Sequence, residues 1–170
     1  MSQPVAIVPP EAVTPAWITA ALAAGGVNAR VAGLVMESVG TGQLGETRRF
    51  HLEYASMPPP DAPKSVVGKF PSANATAAET GRSMGFYRSE VMFYREAAAK
   101  AGIHVPRTYV AEIDAANDFV LLFEDLAPAR PGDQMRGCSV DEARRALSEA
   151  ARLHAAYWND LELMKQPWLY

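Results

Sequence analysis

Cysteine is nearly absent: Cys138 stands alone among 170 residues, so no intrachain disulfide can form. The lone thiol reads as a small, half-apolar side chain, and the expected setting is a reducing, cytoplasmic one. Long hydrophobic runs are missing too. The most apolar early stretch, Ala16 to Val27, is broken by Gly25 and Gly26 and falls short of the roughly 20 residues that cross a bilayer. The N-terminal residues carry no basic segment of the secretory kind, so no membrane association is expected. Basic charge is neither abundant nor concentrated. Sixteen Lys and Arg against 19 Asp and Glu leave a net charge of -3, and their scatter argues against nucleic acid as a partner. No segment repeats at a fixed period. What the chain does have is material for a core, with 49% apolar and 21% charged residues, the balance of an ordinary folded domain.

In chain order, an extended Pro-containing arm leads to Thr14-Pro15, an N-cap followed by proline at the first helical position. Trp17, Ile18, Ala21 and Leu22 give that helix its apolar stripe, and Gly25-Gly26 ends it. Val31 to Val39 alternates as a strand. Phe50, Leu52 and Tyr54 alternate against Arg49, His51 and Glu53, a strand with one polar face. The proline-rich run Met57 to Pro63 can only be a loop. Ser65 to Phe70 reads as a third strand, Pro71 to Thr80 as a mobile polar connection, and Ser83 to Ala101 as one helix closed by Gly102. Two further strands are predicted at Arg107 to Ile113 and Phe119 to Phe123. After the turn-rich stretch that follows, Ser139 and Glu142 form a capping-box pattern ahead of a helix with Leu147, Ala150, Leu153, Tyr157 and Trp158 on its apolar face.

The chemistry concentrates between Val39 and Phe70. Gly40, Gly42 and Gly45 form a G-x-G-x-x-G turn, and glycine lets backbone N–H groups approach phosphate oxygens closely. A dinucleotide-binding turn of this pattern leads into a helix. Here a strand follows, and a lysine-bearing strand comes next, the order of a kinase phosphate loop. Lys69 can supply a point charge to those phosphates if an acid holds it in place. Glu90 and Glu96 both lie in the following helix, and Glu90 is preferred because it sits among Tyr87, Val91 and Tyr94, nearer the apolar stripe. At the end of the last strand, Glu124, Asp125 and Leu126 form a hinge whose backbone groups can bond an adenine edge.

These segments together resemble the phosphotransferase family that groups aminoglycoside phosphotransferases with choline-kinase-like and ecdysteroid-kinase-like proteins. The likeness is carried by G-T-G-Q-L-G-E-T at Gly40 to Thr47, S-V-V-G-K at Ser65 to Lys69 and Y-R-S-E-V-M-F-Y-R-E at Tyr87 to Glu96. It continues through V-P-R-T-Y at Val105 to Tyr109, F-V-L-L-F-E-D-L-A-P-A-R at Phe119 to Arg130 and A-R-L-H-A-A-Y-W at Ala151 to Trp158. The resemblance covers nearly the whole chain but only about the first half of such a protein. It implies an α+β, protein-kinase-like small lobe of antiparallel sheet and packed helix over residues 1–123, a hinge over 124–138, and the first helical segment of a large lobe over 139–170. It implies ATP and Mg²⁺, with Gly40, Thr41, Gly42 and Gly45 as the phosphate loop, Lys69 as the phosphate lysine, Glu90 as its partner and Glu124, Asp125 and Leu126 as the adenine hinge. The reaction implied is transfer of the γ-phosphoryl group to a small-molecule hydroxyl.

One departure from the family pattern is large. The H-G-D-x-x-x-x-N catalytic loop and the later metal-binding aspartate do not occur in this sequence, and His154, which reads as a helix residue, is followed by no Gly-Asp pair. The expectation is therefore the ATP-binding portion of a kinase, with neither catalytic residues nor Mg²⁺ ligands of its own and no activity alone. The alternative is a non-catalytic kinase-like interaction module that dimerises through the exposed helix 139–158.

Overall fold

The computed structural model of the chain describes residues 4–40, 42–130, 132–133 and 135–169. The first helix, α1 (Pro15–Ala24), starts as its sequence dictates: the Thr14 hydroxyl accepts the Trp17 N–H at 3.2 Å and Pro15 occupies the first turn. Its buried residues, Trp17, Ile18, Ala21 and Leu22, lie against a five-stranded sheet.

The strands are β1 (Val31–Ser38), β2 (Gly45–Tyr54), β3 (Ser65–Pro71), β4 (Thr108–Ile113) and β5 (Phe119–Glu124). All neighbours pair antiparallel, in the order β1-β2-β3-β5-β4, and the fold is α+β. Alternation sorts the side chains between two faces. On the closed face Phe50, Val66, Phe70, Val110, Val120 and Leu122 pack beneath α1 in one apolar cluster. On the opposite face Phe119, Leu121 and Phe123 of β5 form a second cluster with Tyr87 and Val91. That second cover reaches only part of the sheet. Arg49, Val67 and Lys69 are half-buried on the remainder, and Val35 is exposed there.

Two expectations are corrected between β3 and β4. The segment read as a mobile connection after Pro71 contains a helix, α2 (Ala75–Ser83), capped by the Asn74 side chain, which accepts the Ala77 N–H at 3.0 Å. Its small residues are what allow it to sit close: Ala78 and Gly81 are buried. The helix expected without a break from Ser83 to Ala101 is divided. Gly85 takes a left-handed conformation at φ 72° between α2 and α3 (Phe86–Met92), and Phe93–Ala97 then winds as a π-turn. Further along the chain, α4 (Val140–Ala156) begins with the capping box read from the sequence, Ser139 and Glu142 each bonding the other's backbone N–H. None of its 17 residues is fully buried. Among the described residues, no helix is long and apolar enough to cross a membrane.

Candidate functional site

The half of the sheet left uncovered by α3 is where the sequence-selected residues meet. Register explains why. Thr47 lies opposite Lys69 and Arg49 opposite Val67 across β2 and β3, while Val67 faces Phe123 and Lys69 faces Leu121 across β3 and β5. One row therefore runs from the strand after the glycine turn, through the lysine strand, to the strand that ends in the hinge.

Lys69 reaches from this row to α3. Its Nζ donates to Glu90 Oε1 at 2.6 Å and Oε2 at 2.7 Å, a two-pronged contact at the border between the covered and open parts of the face. Roughly a third of each side chain remains exposed, 33% for Lys69 and 31% for Glu90, so the pair is accessible to a ligand. Glu96, the competing candidate, is engaged elsewhere: its Oε2 accepts the Trp168 indole N–H at 2.7 Å. Glu90 stands beside a largely buried aromatic group, and burial, then the Glu90 charge, pushes the Tyr94 phenol up from its usual range.

The glycine turn lies at the end of the same row. Gly40 has φ 75°, a conformation that L side chains rarely adopt, and a Cβ on Gly42 would come within 2.3 Å of the Gly45 carbonyl oxygen. Gly45 opens β2 opposite Pro71. Thr41 lies outside the described residues. The turn is tied to α3 by Tyr87, whose hydroxyl donates to the Leu44 carbonyl and accepts the Ser72 N–H at 3.3 Å. The helix that carries Glu90 thus also braces the turn.

At the end of β5, where the hinge was expected, Glu124 is locked to the segment before β4: its N–H donates to the Arg107 carbonyl at 2.9 Å and its carboxylate accepts the Arg107 N–H at 2.7 Å. Asp125 has more partners. Its Oδ2 accepts from Arg49 Nε at 2.6 Å and Ser65 Oγ at 2.7 Å, while Oδ1 accepts from Arg49 Nη2 at 3.1 Å and the Ala127 N–H at 3.0 Å. Burial pushes this carboxyl up, but the Arg49 guanidinium, the Ser65 hydroxyl and the Ala127 N–H together outweigh burial and hold it below its ordinary value. Arg49 in turn pairs with Glu37 at 2.8 Å. With the Ala127 N–H so occupied, the Leu126 N–H has no partner among the described residues, and the Leu126 side chain is exposed. Beside these groups lies a cavity of about 190 Å³ walled by Val39, Val67, Phe123, Leu126 and Ala127, with Arg49 at its side.

Sequence reasoning singled out the hinge for its backbone and passed over Arg49, Ser65 and Tyr87. The signal for Arg49 was available, since alternation already placed it on the polar face of β2. Ser65 and Tyr87 carried no such mark. Chemically, the arrangement offers a cation held by a carboxylate, a glycine turn open at Gly40 and, among the described residues, one unpartnered backbone donor beside an apolar slot. Among the described residues no group of three or more His, Cys, Asp or Glu converges to hold a metal ion. No protein-family model matches the chain, and no curated protein does.

Proposed function

We propose that this chain is the ATP-binding portion of a small-molecule kinase, built as a protein-kinase-like small lobe, hinge and first large-lobe helix, with a hydroxyl compound as the acceptor. The observation that carries the reading is the Lys69–Glu90 pair, set on one half-face with the glycine turn and the free hinge N–H. Phosphate oxygens of a bound nucleotide would lie against Lys69 and the backbone of Gly40 to Gly45, because a held cation and a Cβ-free turn both favour a polyanion. Val39, Val67 and Phe123 would sandwich the base, and the Leu126 N–H would donate to a ring nitrogen on its edge. Glu90 acts on Lys69 alone, fixing where its charge points. Phosphoryl transfer depends on this positioning together with a base for the acceptor hydroxyl. The sequence supplies the positioning and contains no His-Gly-Asp loop to supply the base.

Calorimetric titration with ATP tests the reading. The unaltered chain is expected to bind, and Lys69→Ala to bind about ten- to a hundredfold more weakly, the range that losing one or two charge-assisted hydrogen bonds produces. Absence of ATP binding by the unaltered chain would overturn the proposal.

A second reading is favoured by one observation. Helix α4 buries none of its residues fully, and Leu147 and Trp158 are 70% and 76% exposed. Large uncovered apolar groups of this kind mark interaction surfaces. On that reading the chain is a non-catalytic module that pairs through residues 139–158.

A further inference from the structure

Glu90 and Glu96 stand on the same helical segment, yet only one of them reaches Lys69. Glu96 has its own partner, on the far side of α3. The short turn Pro167–Leu169 lies against that helix with Trp168 only 6% exposed. Both polar ends of Trp168 are bonded to the segment that carries Glu90. Its carbonyl accepts the Ser89 hydroxyl at 2.7 Å, and its indole N–H donates to Glu96 Oε2 at 2.7 Å. The two anchors are one residue before Glu90 and six after it, one on α3 and the other on the π-turn. On the opposite side, Tyr87 and Val91 press against Phe119, Leu121 and Phe123. The segment is thus gripped from both flanks, by the sheet within and by Trp168 without.

We infer that Trp168 is a positioning residue for the Lys69–Glu90 pair: by bonding Ser89 and Glu96 together it fixes the rotation of α3, directs Glu90 at Lys69 and keeps Glu96 occupied. The physical basis is plain. A buried indole N–H left without an acceptor is costly, so Glu96 stays with Trp168, and a π-turn is a place where a helix can change its winding. With the clamp in place, the two faces of the segment cannot rotate past each other without breaking a hydrogen bond at each anchor. The region that follows the hinge thereby acts on the charge that the open half-face presents. The inference rests on the proposed nucleotide site only for its functional consequence, since the pair and the clamp are both observed.

The test reads the pair directly. In protein labelled with ¹⁵N at the lysine side chains, the Lys69 ammonium signal of the unaltered chain and of Glu90→Gln define the paired and unpaired positions. Trp168→Phe, which keeps the ring and removes the N–H, and Ser89→Ala, which removes the other anchor, are each expected to shift that signal toward the unpaired position. Glu96→Gln retains an acceptor for the indole and is expected to stay at the paired position. A purely structural contribution would lower the melting temperature in Trp168→Phe and Ser89→Ala and leave the Lys69 signal where it was, which overturns the inference. The same holds for Ser89→Ala alone if Trp168→Phe fails to fold. ATP titrations of these variants report separately: a shifted Lys69 signal accompanied by about a fivefold weaker affinity, in the range of a single hydrogen bond, supports the clamp acting on the site. A shifted signal in a chain that binds no ATP supports the clamp while overturning the nucleotide reading.

Discussion

The Asp125 carboxylate gathers a strand residue from β2, another from the start of β3, and a backbone N–H of its own loop. Its carboxyl is held below the ordinary value of 3.8, so the charged form is favoured by folding. The sign follows from linkage. A carboxyl depressed in the folded state contributes stability that is complete above its unfolded value and is lost as pH falls below about 3.8 through the folded value. Asp125→Asn is expected to lower unfolding stability near neutral pH by about 1–3 kcal/mol, since Arg49, Ser65 and the Ala127 N–H lose charge-assisted bonds to a largely buried carboxylate. The difference between variant and parent should shrink as urea melts are taken from about pH 6 toward about pH 2.5. A difference that stays constant over that range would show that the carboxylate charge is not what matters. Nothing near Asp125 in sequence hinted at this role. Arg49 and Ser65 reach it only after strand pairing, whereas Thr14 and Ser139 were legible as caps because each bonds a backbone N–H three residues away.

Among the elements, α2 shows what periodicity overlooks. Ala75, Thr76, Ala77, Ala78 and Gly81 form no large apolar stripe, so the stretch reads as connection, although Asn74 stands at the N-cap position and the alanines are strong helix formers. Its packing depends on smallness. A Cβ on Gly81 would come within 2.3 Å of the Tyr87 ring, and Tyr87 is the residue that ties α3 to the glycine turn. Gly81→Ala is therefore expected to cost about 1–3 kcal/mol through overpacking and to displace Tyr87. Thermal melts give the first quantity, and the second appears as loss of slow exchange at the Ser72 amide, which the Tyr87 hydroxyl holds. Unchanged melting and exchange would mean that α2 can move aside freely. The strands were legible where one face is apolar, as in Phe50, Leu52 and Tyr54. The break at Gly85 was hidden because the apolar stripe that marks the helix, with Tyr87 and Val91, begins only after it, so no periodicity locates the start.

For the molecule as a whole, the sheet divides the apolar material into two clusters, and α4 belongs to neither. A helix of 17 residues without a packed face is marginal in water. It is held here by few tethers, among them Tyr157 to the Ala97 carbonyl and Glu149 to the His104 N–H at 3.0 Å. An apolar cavity of about 520 Å³ opens between Phe93, Ala97, Leu153, Tyr157 and Trp168. Under the reading in which this helix pairs with another copy, light scattering should give a dimer mass that falls to the monomer in Leu147→Glu, a change at an exposed position that spares the sheet. A monomer for the unaltered chain at every concentration counts against that reading. This part of the chain was legible as an amphipathic helix. Its exposure was part of the expectation that it pairs with another copy; what meets the apolar face was not legible, because periodicity says which face is apolar and not what covers it.

The neighbouring position of β3 and β5 bears on the order in which the chain assembles. The β1–β2 and β2–β3 pairings join strands adjacent in sequence, so the glycine turn and the lysine strand can come together early on short loops. Val67 meets Phe123 only after α2, α3 and β4 have been made, and loop closure over that distance is the slower step. The expected consequence is that the edge of β3 stays unpaired until β5 is in place. On the proposed nucleotide reading, Lys69 and the segment after Phe123 come together only through the β3–β5 pairing, so competence for binding should emerge together with the completed sheet rather than with the glycine turn.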